Sequence, residues 1–554
     1  MKIRVGGEWR DGYLDPYRAP GEARVQVLAV MNLERLRSVY VERRRSVRMV
    51  WNYLREVGPR AVLLRVRSRS GEAGRNEKYV SCGLGRVIEG PADGPAAGSL
   101  VWFVAPAHPS AAERLVLPPA LLAPADDPGP VPAAEGTVAH LDAGDEGGER
   151  WWAWVRGWSG EAGIPLDPAR CRALLDRAAR ALRGAAWGAA ARSAPSPPTP
   201  VAERAEATAP PGEAKKTAVL FGYGNYAKVT SLPHVERSLT LTAIHEIDPT
   251  QVPRDRRGDV AWDSAPVLRA GERADAVLIA GFHHTHAPLA VEALRRGAYA
   301  VVEKPLCTTR EQLRALMEAV ERAPRLFACF HKRYSPLNAL ASEDLGVAPG
   351  APVNYHCVVY EIPLPELHWY RWPSSRTRLV SNGCHWIDHF LYLNAFSRPA
   401  AYDVLAAPDE TLNVSVTLEN GAFFTMVLTD RGSERIGVQE HIELRAGDRT
   451  VRMVNASEYH AESSERLLRR TRVNKLDGYG LMYGAIARAI AAGEPGDTPE
   501  SVRLSSELVL ELEAMLASRP VLGGGGAATQ GLRWGTGSAP RERVSTADGP
   551  APAA

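Results

Sequence analysis

A proline-rich run divides the sequence and rules out one continuous domain. Between residues 189 and 216 the chain consists largely of Ala, Pro, Ser and Glu, and residues 193–200 include four prolines. Proline has no backbone N–H and fixes φ. A run with this many prolines therefore cannot be helical. Its neighbours offer little apolar surface to bury, and the segment is predicted to be a semi-extended linker between two folding units.

The composition is that of an ordinary globular protein with room for about three domains. The 554 residues are 45% hydrophobic and 24% charged, and the net charge is +3. This balance gives no electrostatic reason to expect a nucleic-acid partner. The first residues lack the apolar core of a signal peptide and no stretch is long and apolar enough to span a membrane, so we expect a cytoplasmic protein without membrane association. Six cysteines without a C-x-x-C pair are expected to be reduced thiols.

Beyond the linker, the pattern favours an α/β fold with a doubly wound parallel sheet. Apolar strand-like runs alternate with helical patterns, as in βαβ units. The strands are expected at residues 217–221, 239–244, 276–280 and 298–302. Residues 287–296 place four apolar side chains on one helical face between the last two. The prediction is a Rossmann domain over residues 217–335.

After about residue 335 the pattern changes to longer strands. Runs at 411–418 and 422–428 are joined by Glu419-Asn420-Gly421, and an Asn-Gly pair favours a tight hairpin. Two helices are predicted at 479–492 and from Pro499, behind a Thr498 cap. We therefore expect an α+β open-sheet domain over 336–520, followed by a disordered tail over 521–554.

A glycine motif follows the first strand after the linker. Phe221 precedes Gly222-Tyr223-Gly224-Asn225-Tyr226-Ala227, a G-x-G-x-x-A pattern that should open a helix. The first glycine permits a tight turn, the second lets a pyrophosphate approach the backbone, and the small third residue allows close packing of helix on strand. Gly222, Gly224, Asn225 and Tyr226 are candidate cofactor ligands, with a plain glycine-rich turn as the alternative.

The end of the second strand supports a dinucleotide. Glu246 lies 24 positions after Gly222, where an acid accepts hydrogen bonds from the adenosine ribose. A carboxylate there repels a 2′-phosphate, and Ile247 and Asp248 offer no compensating cation. NAD is therefore expected in preference to NADP. Asp248 could instead be the ribose partner or a turn residue before Pro249.

Several ordered motifs resemble the Gfo/Idh/MocA oxidoreductase family. They are Glu303-Lys304-Pro305 after the strand at 298–302, His286 at the start of the preceding helix, residues 330–334 (FHKRY) and residues 383–388 (GCHWID). The resemblance covers roughly residues 217–520. It implies that His286, Glu303 and Lys304 help to bind NAD and that the chain is an enzyme transferring hydride.

The resemblance makes Lys304 and His385 the expected catalytic residues. A lysine near an oxidised nicotinamide feels a like charge, which lowers its pKa and helps it to stabilise the reacting oxygen. A histidine can exchange the hydroxyl proton because imidazole titrates near neutrality. A surface lysine at a strand end and a structural histidine are the alternatives.

One position departs from the family pattern. The family usually has an Asp four residues before the histidine, and here that residue is Ser381, beside the neutral Asn382. Either Asp388 or His389 compensates, or His385 works alone, or the reaction is not a simple alcohol oxidation.

Aromatic and basic residues near this helix suggest a sugar-like substrate. Aromatic faces suit sugar rings and arginines suit carboxylate or phosphate. The candidate substrate residues are Arg333, Trp369, Trp372, Asp388 and His389. Packing within the domain or at an oligomer interface is an equally good explanation. The run His283-His284-Thr285-His286 has no cysteine or acidic partner in sequence, so we expect no metal.

The first half resembles, loosely, the GroES-like domain of medium-chain dehydrogenases. Residues 51–55, 65–69, 81–89 and 108–118 carry this likeness. The segment lacks a dinucleotide motif, and Cys82 with His108 makes a poor zinc site. We expect a degenerate, β-rich GroES-like domain over 1–135 and a helical segment over 136–188.

Three functions remain open from sequence. The first is net oxidoreduction of a small, polar, sugar-like hydroxyl or carbonyl compound. The second is elimination or epimerisation assisted by tightly held NAD without net redox. The third is a nucleotide-sensing or scaffold protein that does not turn over. The family resemblance also implies a homo-oligomer, formed through the open sheet of the second domain.

Overall fold

The structure is a computed structural model that describes most of the chain outside residues 142–214 and the C-terminal tail. The described residues are 2–5, 8–11, 23–36, 47–70, 78–92, 94–109, 114–117, 122–125, 139–141, 215–246, 260–263, 267–364, 370, 375–432 and 436–518. The predicted linker, apart from Lys215 and Lys216, and the predicted tail from residue 521 therefore lie outside them.

The N-terminal half is β-rich, as predicted. Its strands are β1 (Lys2–Val5), β2 (Glu8–Asp11), β3 (Ala23–Leu36), β4 (Lys78–Glu89), β5 (Leu100–Pro109), β6 (Arg114–Leu117), β7 (Leu122–Pro124) and β8 (Ala139–Leu141). Strands β3 to β7 form a sheet in the order β6-β3-β4-β5-β7, and β8 pairs with β3. The start of the segment predicted to be helical is thus a strand. The GroES-like resemblance stays a prediction.

A long helix interrupts these strands and contacts the second half of the chain. Helix α1 (Val47–Ser70) kinks at Gly58, where φ is +79°. The Asn474 side chain donates to the Val57 carbonyl at 3.2 Å, and the Lys475 backbone N–H donates to the Glu56 carbonyl at 3.1 Å. A Cβ on Gly58 would lie 3.3 Å from Asn474 Nδ2, so a glycine allows this close approach.

The middle of the chain forms the predicted Rossmann domain. Its strands are β9 (Thr217–Phe221), β10 (Thr240–His245), β11 (Ala261–Asp263), β12 (Ala276–Ile279), β13 (Tyr299–Val302) and β14 (Leu326–Ala328). They form a parallel sheet in the order β11-β10-β9-β12-β13-β14. The order reverses between β9 and β12, and ligands bind at the carboxyl ends of strands beside such a reversal.

Helices cover this sheet because apolar residues fill both of its faces. A helix begins at Asn225, passes through a π-helical turn at Ala227–Ser231 and ends in α2 (Leu232–Val235). The others are α3 (His286–Arg295) and α4 (Arg310–Arg322). All four residues of β12 and of β13 are buried, as expected for central parallel strands. The predicted strands agree with these bounds to within one residue.

The C-terminal domain is an open mixed sheet with helices on one side. Its strands are β15 (Asn354–Tyr360), β16 (Pro399–Ala406), β17 (Leu412–Leu418), β18 (Phe423–Thr429), β19 (Gln439–Ala446), β20 (Arg449–Val454), β21 (Glu458–Glu462) and β22 (Leu467–Arg472). Its helices are α5 (Pro336–Leu345), α6 (Cys384–Leu393), α7 (Asp477–Ala492) and α8 (Pro499–Ser518). The sheet order is β16-β17-β18-β15-β19-β20-β21-β22. Burial alternates along β15, so one face of the sheet packs against the helices.

Two local predictions in this domain are confirmed. Strands β17 and β18 pair as an antiparallel hairpin, and Gly421 in the connecting turn has φ of +88°. Helix α8 starts at Pro499, and the Thr498 hydroxyl accepts from the Ser501 N–H at 3.3 Å. Within the described part of the chain, no helix combines the length and the apolar character that a membrane crossing requires. The homo-oligomer stays a prediction.

Candidate active site

The two motif glycines play different structural parts. Gly222 has φ of +89°, and its N–H donates to the His245 carbonyl at 2.9 Å. A Cβ there would lie 2.5 Å from the Ala280 carbonyl oxygen, which no side chain tolerates. A Cβ on Gly224 would meet nothing within 4 Å. The second glycine therefore faces open space at the start of a helix, where a pyrophosphate fits.

Glu246 lies at the carboxyl end of β10, beside the glycine loop. Its side chain is buried, and Oε2 accepts from the Tyr223 N–H at 2.6 Å. This contact fixes a carboxylate next to the loop, in a position that suits the ribose hydroxyls of NAD. The other candidate for this contact, Asp248, lies outside the described residues.

A buried carboxylate joins three elements below this loop. Glu303, after β13, accepts from the hydroxyls of Tyr226 in the glycine-motif helix, at 2.9 Å, and of Tyr483 in α7. Burial raises the pKa of Glu303 above the usual range, although both hydrogen bonds favour its ionised form. Tyr226 and Glu303 thus hold the nucleotide-binding helix, the strand end and the C-terminal domain together.

Lys304 reaches from the Rossmann domain to the C-terminal domain. Its ammonium donates to the Ser381 carbonyl at 2.9 Å and lies 5.6 Å from the centroid of the Tyr370 ring. Burial lowers the pKa of Lys304, but Tyr370, Cys384 and Glu303 outweigh burial, so the pKa stands above the ordinary lysine value. Without nucleotide, therefore, Lys304 is a firmly charged hydrogen-bond donor.

His385 forms an imidazole pair with His331. The two rings meet edge to face with centroids 4.7 Å apart, and His331 stacks on Tyr479 at 4.0 Å. Among the described residues neither Nδ1 atom has a hydrogen-bond partner. Burial, and then the electrostatic effect of His331, Lys304 and Lys332, holds the pKa of His385 well below its usual range. His385 is thus a neutral imidazole whose protonated form is disfavoured.

His286 contacts two loops near Lys304 through its ring nitrogens. Its Nδ1 lies 2.8 Å from the Pro305 carbonyl oxygen and its Nε2 lies 3.2 Å from the Gly281 carbonyl oxygen. These contacts connect the loops that follow β13 and β12. Within the described ranges, no three His, Cys, Asp or Glu side chains come together to hold a metal ion.

The comparisons with known proteins identify the nucleotide-binding part. A family model described as an oxidoreductase family with a NAD-binding Rossmann fold, Gfo/Idh/MocA, matches residues 216–331. Residues 216–331 form a Gfo/Idh/MocA NAD-binding domain. The inositol 2-dehydrogenase of Rubrobacter xylanophilus is 34% identical over 104 residues, which cover 18% of this chain and 30% of that enzyme. The chain thus matches less than a third of this relative's length.

Solved structures of oxidoreductases are similar in fold to about half of the chain. A mutant 3-ketoreductase from Actinomadura kijaniata, in complex with TDP-benzene and NADP, is 18% identical with a TM-score of 0.46. The alignment covers 54% of this chain and 98% of that one. An oxidoreductase from Agrobacterium radiobacter in complex with NAD+, L-tartaric acid and magnesium is 14% identical, with a TM-score of 0.46, over 55% and 98% of the two chains.

Arg333 and Asp388, two predicted substrate residues, bind each other instead of facing a pocket. The guanidinium donates to Asp388 at 3.0 Å through Nε and at 2.6 Å through Nη2. Ser505 donates to the same carboxylate at 2.6 Å, and Asp497 lies 3.2 Å from Nη1. This geometry favours a structural role, in which the pair joins the segment after the Gfo/Idh/MocA sheet to helices α6 and α8.

Both ring nitrogens of His389 also contact other protein groups. Its Nδ1 lies 3.1 Å from the Tyr355 hydroxyl and its Nε2 lies 2.9 Å from Asn338 Oδ1. Burial holds the pKa of His389 well below its usual range. Neither Asp388 nor His389 is therefore available to replace the acid absent at Ser381. The predicted Trp369 and Trp372 lie outside the described residues, which include only Tyr370 of that segment.

Sequence reasoning missed Glu361. It follows directly after β15, and its carboxylate accepts from Asn382 Nδ2 at 2.7 Å and lies 3.5 Å from Arg378 Nη1. Asn382 adjoins Ser381, whose carbonyl binds Lys304 of the Gfo/Idh/MocA domain. The available signal was an acid immediately after a strand with alternating burial, but no pattern connected it to this helix.

Proposed function

We propose that the chain is a NAD-dependent oxidoreductase that transfers hydride to or from a small, polar, sugar-like hydroxyl or carbonyl compound. The observation that carries this proposal is the contact of Lys304 Nζ with the Ser381 carbonyl, at 2.9 Å. It brings a charged donor at the end of a Gfo/Idh/MocA strand to the helical turn that leads into His385. Cofactor and substrate elements thus converge at one point.

Each residue has a definite part in this proposal. When bound, NAD supplies the hydride acceptor or donor. Lys304 donates a hydrogen bond to the substrate oxygen and stabilises the charge that develops there, since its ammonium has three N–H groups, and the Ser381 carbonyl and the Tyr370 side chain are the two hydrogen-bond partners among the described residues on this side of the site. The nearby charge of an oxidised nicotinamide would lower the lysine pKa from its raised value. His385, held neutral by burial, is able to accept a hydrogen bond from the substrate hydroxyl.

The cofactor preference rests on Glu246. The 2′-phosphate of NADP would lie against the buried Glu246 carboxylate, which already accepts a hydrogen bond from the Tyr223 N–H. Because this carboxylate is shielded from water, its repulsion of the 2′-phosphate disfavours NADP. NAD is accordingly proposed as the cofactor in preference to NADP.

The substrate class rests on a sequence relative. The Rubrobacter xylanophilus relative is an inositol 2-dehydrogenase, which makes polyols and sugars the first compounds to test. Turnover of myo-inositol or of another member of a polyol and sugar panel, followed by NADH absorbance, would support net oxidoreduction. Product formation without NADH would favour transient oxidation during elimination or epimerisation.

Calorimetric titration of the full chain with NAD+ and NADP+ tests the proposal. NAD+ should bind more tightly than NADP+, and Gly224→Ala should weaken NAD+ by about tenfold or more, equivalent to about 1.4 kcal/mol. The added methyl group would occupy the space in which the pyrophosphate approaches the backbone. Glu318→Ala, on an exposed part of α4, is the matched control and should change nothing. Absence of binding by either nucleotide would overturn the proposal.

A further inference from the structure

A small pocket beside Lys304 contains the carboxylate of Glu361. The pocket is lined by Glu361, Ile362, Leu364, Tyr370, Arg378, Ser381 and Asp430. Tyr370 hydrogen-bonds Lys304, and the Ser381 carbonyl accepts from the same ammonium. The pocket thus adjoins the point where the proposed chemistry takes place.

Glu361 is held in this pocket by two neighbours from one helical turn. Asn382 donates to its Oε1 at 2.7 Å, and Arg378 lies 3.5 Å from its Oε2. Both neighbours flank the π-helical turn Leu379–Gly383 or lie within it, so the turn that carries Ser381 also orients Glu361. A carboxylate from strand β15 therefore lies beside the position at which the family pattern has its own acid.

The other carboxylates near the pocket are less suited to proton transfer. Asp430 and Glu410 lie 3.2 Å and 3.6 Å from Arg378 Nη2. Both are more exposed than Glu361, whose side chain is 12% exposed against 18% for Asp430 and 30% for Glu410. Glu361 is therefore the least exposed of these three carboxylates, and burial disfavours the ionised form of a carboxyl, which suits proton exchange near neutrality.

We propose that Glu361 replaces the acid absent at residue 381 and is a catalytic residue that exchanges the substrate hydroxyl proton. This inference rests on the proposed function. In the oxidative direction the substrate C–H bond breaks and its hydride passes to NAD+, while the O–H bond breaks and its proton passes to the Glu361 carboxylate instead of to His385, whose protonated form burial disfavours. The substrate becomes a carbonyl compound, NAD+ becomes NADH, and the proton leaves later to solvent.

The charges around Glu361 predict a proton release on nucleotide binding, which can be measured without a substrate. Burial raises the pKa of Glu361, Arg378, Asn382 and Lys304 oppose this, and Asp430 adds to it. Tyr370 and Glu410 are further titratable groups on this side of the site. The positive ring of NAD+ placed beside the pocket would lower the pKa of Glu361, so NAD+ binding should release a proton. The neutral ring of NADH should release less.

Calorimetry in buffers of different ionisation enthalpy measures this proton release on the full chain. Wild type is expected to release protons on binding NAD+ at slightly acidic pH and fewer on binding NADH. Glu361→Gln should lose the difference between the nucleotides, while Glu410→Gln, which removes another carboxylate near Arg378, should retain it. On a panel compound that turns over, Glu361→Gln should lower kcat by roughly a hundredfold or more.

Asn382→Ala is a second test, which keeps the carboxylate in place. The Asn382 hydrogen bond favours the ionised form, so its loss should move proton release to higher pH. Proton release that is absent in wild type, or unchanged in both Glu361→Gln and Asn382→Ala, would overturn the inference. Failure of wild type to bind NAD+ would instead overturn the proposed function itself.

Discussion

Replacing Asp388 by alanine is expected to destabilise the protein without weakening NAD+ binding. Asp388 is fully buried, and Arg333, its partner, is 5% exposed. The carboxylate accepts hydrogen bonds from two nitrogens of Arg333 and from the Ser505 hydroxyl. Among the described residues, the variant would leave Asp497, at 3.2 Å, as the only carboxylate paired with the buried guanidinium.

The size of the effect follows from this geometry. Removing one partner of a buried ion pair costs about 3–5 kcal/mol, because the other charge stays buried and unpaired. For a domain of this size, roughly 2–4 °C of unfolding temperature is lost per kcal/mol, so the shift should be roughly 6–20 °C. Arg333→Met combined with Asp388→Leu should recover most of the loss, since apolar side chains then replace both charges.

Thermal unfolding and NAD+ titration of the two variants check this reasoning. An Asp388→Ala protein within about 1 kcal/mol of wild type would refute the account of a buried structural pair. Unchanged stability together with lost turnover would restore the substrate role predicted from sequence. Failure of the double variant to recover would show that the pair supplies more than charge compensation.

Three further predictions follow from the described contacts. Gly222→Ala should lower the free energy of unfolding by about 2–4 kcal/mol in urea titration, since a positive φ and a contact at 2.5 Å would be forced on alanine, and a loss below about 1 kcal/mol would contradict this. The pKa values of buried His331, His385 and His389 are lowered from 6.5, so the stability they contribute is complete above that pH and is lost as pH falls towards the folded-state values; a urea midpoint independent of pH on acidification would exclude this. Glu56→Gln should speed amide hydrogen exchange around Gly58 by weakening the contact of α1 with Lys475, whereas Glu89→Gln, in a more exposed ion pair, should not.

Spacing along the chain was sufficient to predict those parts of the site that lie within one motif. Gly222, Gly224 and Glu246 could be found because a tight turn, an open phosphate approach and a strand end each require particular residues at fixed spacing. The parallel strands and their helices could be predicted from the periodic spacing of apolar residues. The same local logic supported Lys304 and His385, whose catalytic roles stay predictions.

Which polar groups pair and which stay available depends on contacts that form only in the folded chain. Asp388 lies 117 residues from Ser505 and 55 from Arg333, yet all three are in contact. Glu361 and Asn382 come together across a strand end and a helical turn. Hydrophobic periodicity in a sequence describes one helix or strand at a time. A buried charge, in contrast, needs a partner to offset its desolvation, and the fold can supply that partner from a distant part of the chain. That requirement commits Asp388 and His389 to structure and leaves Glu361 beside Lys304.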